Sequence, residues 1–394
     1  MNPRAAYISF LDPLRGFAIL IVFAYHCLGA AFGQDHLPWS GWLRSLEVSW
    51  DFLALSFLSF GRLGVAVFFV ISGFCIHLSH KQSSEGGLSR FYTRRFFRIY
   101  PPYLVALLVF ALLPPWKMVN LGSAYGRADF ASHVLLLHNL DDRSFYGINP
   151  SFWSIATEAQ LYLVYPLLFG LASRLGWGKV LYVTGAVEVA LRLAVGWADT
   201  TGGTLPPTWI VESPLGYACT WALGAAAADA WLHARPLPLS RVPLWLFPLL
   251  TVGLYAVRPL AQLTFLSVAL STLCFIRAGL AAERAAPAAP RSLLTRHLAW
   301  TGVISYSVYL LHQPLLSLVE RALAAGWPEL VLPPLVLFFL GLALWLPVLG
   351  AAAVFHKWVE LPSIALGKKL LRRRQSGLQT GLSTECRTVA DSKP

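Results

Sequence analysis

The chain has 394 residues, of which 56% are hydrophobic and only 13% charged, with a mean hydropathy of +0.59. A soluble globular domain carries about 25% charged residues, so the composition excludes an ordinary soluble enzyme, a disordered chain and a secreted disulfide scaffold. The net charge of +12 would suggest nucleic acid in a soluble protein, but in a membrane protein it is first tested against loop orientation.

A spanning helix needs about 20 apolar residues. Ten apolar stretches follow in chain order, at 14–32, 63–79, 99–115, 152–173, 180–197, 208–232, 242–257, 259–276, 298–319 and 331–355. Each is read as helix, because backbone polar groups in lipid are satisfied within their own segment. The first stretch is long and interrupted by Arg15 and His26, unlike the core of a cleavable signal peptide. The connections alternate in charge. One side carries 22 of the 31 basic residues and the other 7, with Arg15 and Arg192 inside spans. Positive charge marks the cytoplasmic side, so both termini are expected there, in agreement with an even span count. The expected class is an all-α polytopic membrane protein of about ten helices. Residues 1–362 form one membrane domain, and 363–394 a polar, basic, disordered cytoplasmic tail. The loops 33–62 and 116–151 leave room for short surface helices, and 131–140 is amphipathic. No soluble domain is expected to be appended. Topology accounts for the +12, so no nucleic-acid partner is expected.

Cys27, Cys75, Cys219 and Cys274 fall within spans and Cys386 in the tail, which matches neither a disulfide framework nor a metal motif. No phosphate-binding loop, nucleophile elbow or zinc-protease motif is present. The informative residues are the polar ones inside spans, where they are costly and functional by default. Arg15 and His26 are eleven residues apart, three helical turns plus about 20°, so they share a face about 16 Å apart. Taken singly, Arg15 is equally well a snorkelling flank residue and His26 an interhelical hydrogen-bonding group. Glu158 lies seven residues into the fourth span and His312 well inside the ninth. Counting helical rise from the expected surfaces brings His26, Glu158 and His312 to one depth. Such a set suits proton abstraction with a carboxylate orienting an imidazole, and less readily a metal; no metal site is expected. Glu188 and Arg192, four residues apart, read as a structural ion pair. Glu212 and Asp229, at opposite ends of the sixth stretch, are expected at the aqueous interfaces. Before the third span, Arg95 and Arg98 project to one side of a helix and suit phosphate groups, or else anchor the chain at lipid headgroups. Gly64, Ser72 and Gly73 allow close helix approach.

Five stretches, in order, resemble acyltransferase family 3, the integral membrane O-acyltransferases. These are Leu11-Asp12-Pro13-Leu14-Arg15-Gly16 with His26, 68–74, Arg95-Phe96-Phe97-Arg98, 152–162 around Trp153, Ser154 and Glu158, and 306–314 around His312. Pro13 stands where the family usually has glycine, and Ala159 where a second acidic residue is common. The resemblance implies no permanently bound cofactor, a cytosolic acyl-CoA donor with acetyl the expected group, and a hydroxyl acceptor on a sugar, surface glycan or lipid-linked saccharide. It implies that His26, Glu158 and Arg15 are catalytic, that Arg95 and Arg98 bind the donor, and that His312, Trp153 and Ser72 contact substrate. The expected partners are acyl-CoA, a carbohydrate or glycolipid and membrane lipids, in the inner (plasma) membrane of a bacterium. The competing reading is a proton-coupled transporter or flippase that uses the buried histidines and Glu158 as a relay.

Overall fold

The computed structural model describes residues 8–33, 50–81, 87–285, 292–327 and 329–373. Among them there are helices and turns and no strand. The helices are α1 (Leu11–Phe32), α2 (Trp50–Leu55), α3 (Gly64–Lys81), α4 (Gly87–Leu112), α5 (Ala124–Val134), α6 (Phe152–Leu175), α7 (Trp177–Thr201), α8 (Thr208–Val211), α9 (Pro214–Leu232), α10 (Leu246–Ala256), α11 (Thr264–Ala285), α12 (Leu293–Val303), α13 (Ser305–Gly326), α14 (Pro334–Ala343) and α15 (Trp345–Phe355). Short 3₁₀ turns lead into α3 and α11, and a π turn, His356–Glu360, follows α15.

All ten expected stretches are helical, but they are not ten equal spans. Seven helical segments among the described residues are long and apolar enough to cross a membrane. An eighth is α12 with α13, bent by 81° at the break between them. The other two expected spans are α9, with 19 residues and nearly all of its length buried, and α10. At 11 residues, α10 is about 16 Å long, half the thickness of a bilayer core.

Two helix crossings are set by glycines. A Cβ at Gly73 would overlap the Trp221 carbonyl oxygen, and one at Gly224 the Val70 carbonyl oxygen. So α3 and α9 meet backbone to backbone, the close approach that small residues permit without a hydrophobic driving force. Gly16 and Gly302 do the same for α1 and α12, each facing the other helix's carbonyl at Leu298 and Asp12. Arg15 is thereby fixed beside a rigid crossing.

The last helix differs from expectation. It continues through the π turn to residue 373, past the expected start of the tail at 363. The extension is docked: the Ser363 hydroxyl donates to the Phe97 carbonyl at 2.6 Å, and Glu360 is fully buried. Residues 374–394 of the expected tail, and the basic residues Arg4, Arg44 and Arg291, lie outside the described residues. Elsewhere, the expected Glu188–Arg192 ion pair forms and is buried, but Arg192 also lines the larger cavity described below. Arg192 donates to Glu188 at 2.8 and 3.0 Å, and the carboxylate also accepts from the Thr220 amide at 3.0 Å and hydroxyl at 2.6 Å.

Candidate functional site

Helices α1, α3, α4, α6 and α13 surround a cavity of about 150 Å³ on the side of the arginine-rich end of α4. Arg15, Ser72, Arg95, Arg98 and Glu158 all line it. Five of the eight expected site residues therefore share one space, although they come from four helices.

The cationic side chains are held from behind. Arg15 donates to Asp12 at 2.9 Å and to the Cys75 sulfur at 3.0 Å. Arg98 pairs with Glu360 at 3.1 Å, and Glu360 also accepts from the Ser307 hydroxyl at 2.7 Å and faces His356 Nδ1 at 2.9 Å. Arg95 donates to the Ser79 hydroxyl at 3.1 Å, while its Nε is buried with no hydrogen-bond partner. A buried guanidinium N–H without an acceptor is costly, and it favours an anionic occupant. Asp12 and Glu360 do not line the cavity, so its wall presents three guanidinium groups and one carboxylate. That carboxylate, Glu158, accepts from the Ser72 hydroxyl at 2.6 Å and the Tyr162 hydroxyl at 2.5 Å.

A second cavity of about 560 Å³ lies toward the opposite side and is lined by His26, Trp153, Arg62, Glu212 and several aromatic rings. Trp153 stacks on Phe145, with ring centres 5.6 Å apart and 21° between planes. Glu212 accepts a hydrogen bond from the Tyr217 hydroxyl, and burial pushes its carboxyl above the usual range. It therefore lines a cavity instead of the expected aqueous interface.

His26 is served by residues that sequence reasoning missed. Its Nδ1 lies 2.9 Å from the Gln313 side-chain amide, whose other end lies 2.5 Å from the Ser151 hydroxyl. The same hydroxyl lies 3.4 Å from His312 Nε2. His312 Nδ1 faces only the carbonyls of Val308 at 3.2 Å and Tyr309 at 3.0 Å, so Nδ1 carries its proton and Nε2 is an acceptor. His312 is fully buried behind Ser151, with its ring 5.1 Å from that of His26, and lines neither of these cavities.

The expected convergence of His26, Glu158 and His312 at one depth does not occur. The expected depth counts helical rise from Ser151 as a residue at the membrane surface. In the structure Ser151 is buried, its amide donating to Asn149 Oδ1, and its hydroxyl already touches His312 and Gln313 at the level of His26. Glu158, seven residues further along α6, is therefore about 10 Å deeper and bonds to hydroxyls instead of an imidazole. Among the described residues, no group of three His, Cys, Asp or Glu side chains is placed to hold a metal ion. Gln313, next to His312, could have been suspected from its position in a span. Glu360 and Ser151 carried no such signal, since their roles depend on which helices meet.

The chain is 25% identical to the acyltransferase MdmB of Streptomyces mycarofaciens over 95% of both chains. It is 25% identical to the peptidoglycan O-acetyltransferase OatA of Listeria monocytogenes over 90% of this chain and 56% of that one. It is 29% identical to the O-acetyltransferase OatA of Staphylococcus aureus over 42% of this chain and 25% of that one. The chain thus spans little more than half of the Listeria relative. No solved structure matches it at a significant level. A family model described as an acyltransferase domain matches residues 8–352, which covers both cavities, and the chain belongs to this family, acyltransferase family 3, as an acyltransferase of the membrane.

Proposed function

We propose that the protein transfers an acyl group, acetyl first among them, from cytosolic acyl-CoA to a hydroxyl of a sugar-bearing acceptor in the plasma membrane of a bacterium. The observation that carries this reading is the pairing of an arginine-lined cavity with an adjoining one that holds His26. Arginine forks match phosphate oxygens, so the donor's phosphates sit at Arg95 and Arg98, with Arg15 deeper. The long arm of CoA then leads the thioester toward His26. The larger cavity, with Trp153 and its neighbouring rings, holds the acceptor, since aromatic faces and a few polar groups suit a sugar-sized ligand. Two relatives are named for O-acetyl transfer, one of them to peptidoglycan, which fits this class of acceptor.

His26 acts as the base. The Gln313 amide nitrogen is placed toward His26 and its oxygen toward Ser151. A half-turn of the amide exchanges its nitrogen and oxygen and leaves the rest of the side chain in place. With the Ser151 hydroxyl donating to His312 Nε2, the exchanged amide donates to Ser151 and accepts from His26 Nδ1. Every group is then satisfied, and His26 presents a bare Nε2. That nitrogen takes the proton of the acceptor hydroxyl as its oxygen attacks the thioester carbonyl. The C–O bond forms, the C–S bond breaks, and the departing thiolate takes a proton from the imidazolium, leaving the ester and free CoA. Glu158 anchors Ser72 and Tyr162 at the donor cavity wall.

The test is release of CoA from radiolabelled acetyl-CoA by purified protein in micelles, with and without candidate glycans. His26→Ala is expected to abolish transfer while the protein remains folded, and Arg95→Gln with Arg98→Gln to weaken donor binding. Normal transfer by His26→Ala, or donor affinity unchanged in the arginine variant, refutes the respective assignment.

A further inference from the structure

The two cavities adjoin at a single wall. Val65 and Tyr309 line both. The Tyr309 hydroxyl is 2.6 Å from the Ser154 hydroxyl, and its ring stands between Phe68 and His312, with ring centres 6.2 and 5.6 Å away. Ser154 lies one turn of α6 from Ser151 and one from Glu158, so the three occupy one helix face. On antiparallel α13, Tyr306, Tyr309 and Gln313 follow the same spacing in the opposite direction. Tyr306 lines the arginine cavity and Gln313 the His26 cavity. The direct path from the arginines to His26 therefore runs between these helices and meets the Tyr309 side chain midway. Tyr309 is 9% exposed, and it obstructs this path with one aromatic ring on two torsions and one hydrogen bond.

We propose that Tyr309, latched to Ser154 and facing Val65, is the neck between donor and acceptor cavities and limits the size of the acyl group that passes. The proposal rests on the donor and acceptor assignment above for its acyl-group half, but the neck itself stands on the shared wall alone. A ring at this position admits a short acyl group when it swings aside, and a longer chain has to be accommodated beside Phe68 and Val65. Replacing the ring by a small side chain merges the two cavities.

Two readouts test it. The first is the ratio of kcat/KM for hexanoyl-CoA to that for acetyl-CoA. It is expected to rise about tenfold or more in Tyr309→Ala, and to stay near the native ratio in Ser154→Ala, which loses the latch and keeps the ring. An unchanged ratio in Tyr309→Ala overturns the size limit. The second readout needs no acyl transfer. Cys75 lines the arginine cavity, so a membrane-impermeant maleimide added from the His26 side of oriented vesicles, in a Cys386→Ser background, is expected to label Cys75 in Tyr309→Ala and not in the native chain. Labelling equal in both overturns the neck. A native protein that uses no CoA thioester refutes the donor assignment, while the labelling still decides the neck. If Tyr309→Ala does not fold, Tyr309→Leu provides both measurements.

Discussion

Gln313 is the residue whose loss separates base chemistry from donor binding. Gln313→Leu keeps the side-chain volume close and removes both ends of the amide. His26 Nδ1 and the Ser151 hydroxyl each lose a partner now at 2.9 and 2.5 Å. A buried polar group left unsatisfied costs about 1–3 kcal/mol. Charged against the orientation of His26, that amounts to roughly a 5- to 150-fold loss in rate. The arginine cavity has no contact with Gln313, since Arg95 and Arg98 bond to Ser79 and Glu360. The expected result is therefore a fall in kcat of that size with the KM for acyl-CoA unchanged. Gln313→Glu, which keeps an oxygen toward Nδ1, is expected to recover much of the loss. The assay is steady-state CoA release in micelles, with thermal unfolding run in parallel to confirm a folded chain. A rise in KM at constant kcat, or no change in either, refutes the assignment of Gln313 as the group that orients His26.

Four further outcomes follow from the geometry. Glu360→Ala leaves Arg98 and the Ser307 hydroxyl without their buried partner; it is expected to raise the KM for acyl-CoA several-fold and to lower stability by about 1–3 kcal/mol, read by kinetics and thermal unfolding. Gly224→Val pushes a side chain into the Val70 carbonyl and is expected to destabilise by at least about 1–3 kcal/mol, read as loss of the folded fraction after extraction. His138 stacks on His133 with ring centres 4.0 Å apart, and burial together with that neighbour holds its imidazole well below the usual range. The folded state then binds fewer protons than the unfolded one, so stability is full above about pH 6.5 and declines as pH falls below it; His138→Phe is expected to flatten the acid side of a melting-temperature profile. Ser72→Ala combined with Tyr162→Phe frees the Glu158 carboxylate and is expected to increase acceptor-independent hydrolysis of acetyl-CoA, which an unchanged hydrolysis rate would refute.

The helical class and the charged residues that line the arginine cavity were legible because they are local properties of the sequence. A run of apolar residues is a helix in lipid wherever it falls, and the arginines that share a cavity were recognisable by charge alone. Gly73 was readable as a packing residue, and the structure supplies its partner, Gly224. The depth of Glu158 was not legible. It depends on which helices meet at Ser151, the start of the helical count: its contacts with His312 and Gln313 put that start at the level of His26. The bend at Ile304 was also hidden, because the 298–319 stretch carries no charged residue and contains no proline before Pro314. The extension of the last helix past residue 363 reads as polar tail in composition, and only its docking against Phe97 and Arg98 explains it.

The separation of the two cavities bears on why such an enzyme transfers rather than hydrolyses. A thioester held beside a free carboxylate or imidazole and water is open to base-assisted hydrolysis. In the arginine cavity the carboxylate, Glu158, is already engaged by two hydroxyl hydrogen bonds. His26 lies in the other cavity, past Tyr309. On the proposed assignment the donor waits among cations that neutralise its phosphates, apart from His26. On the same assignment, base and thioester meet only when the acyl group advances toward His26 and an acceptor hydroxyl held beside it. The same logic accounts for the placement of His312. Buried behind Ser151 with its proton committed to backbone carbonyls, it fixes the direction of the hydrogen-bond chain that ends at His26 and adds no second base that water can reach.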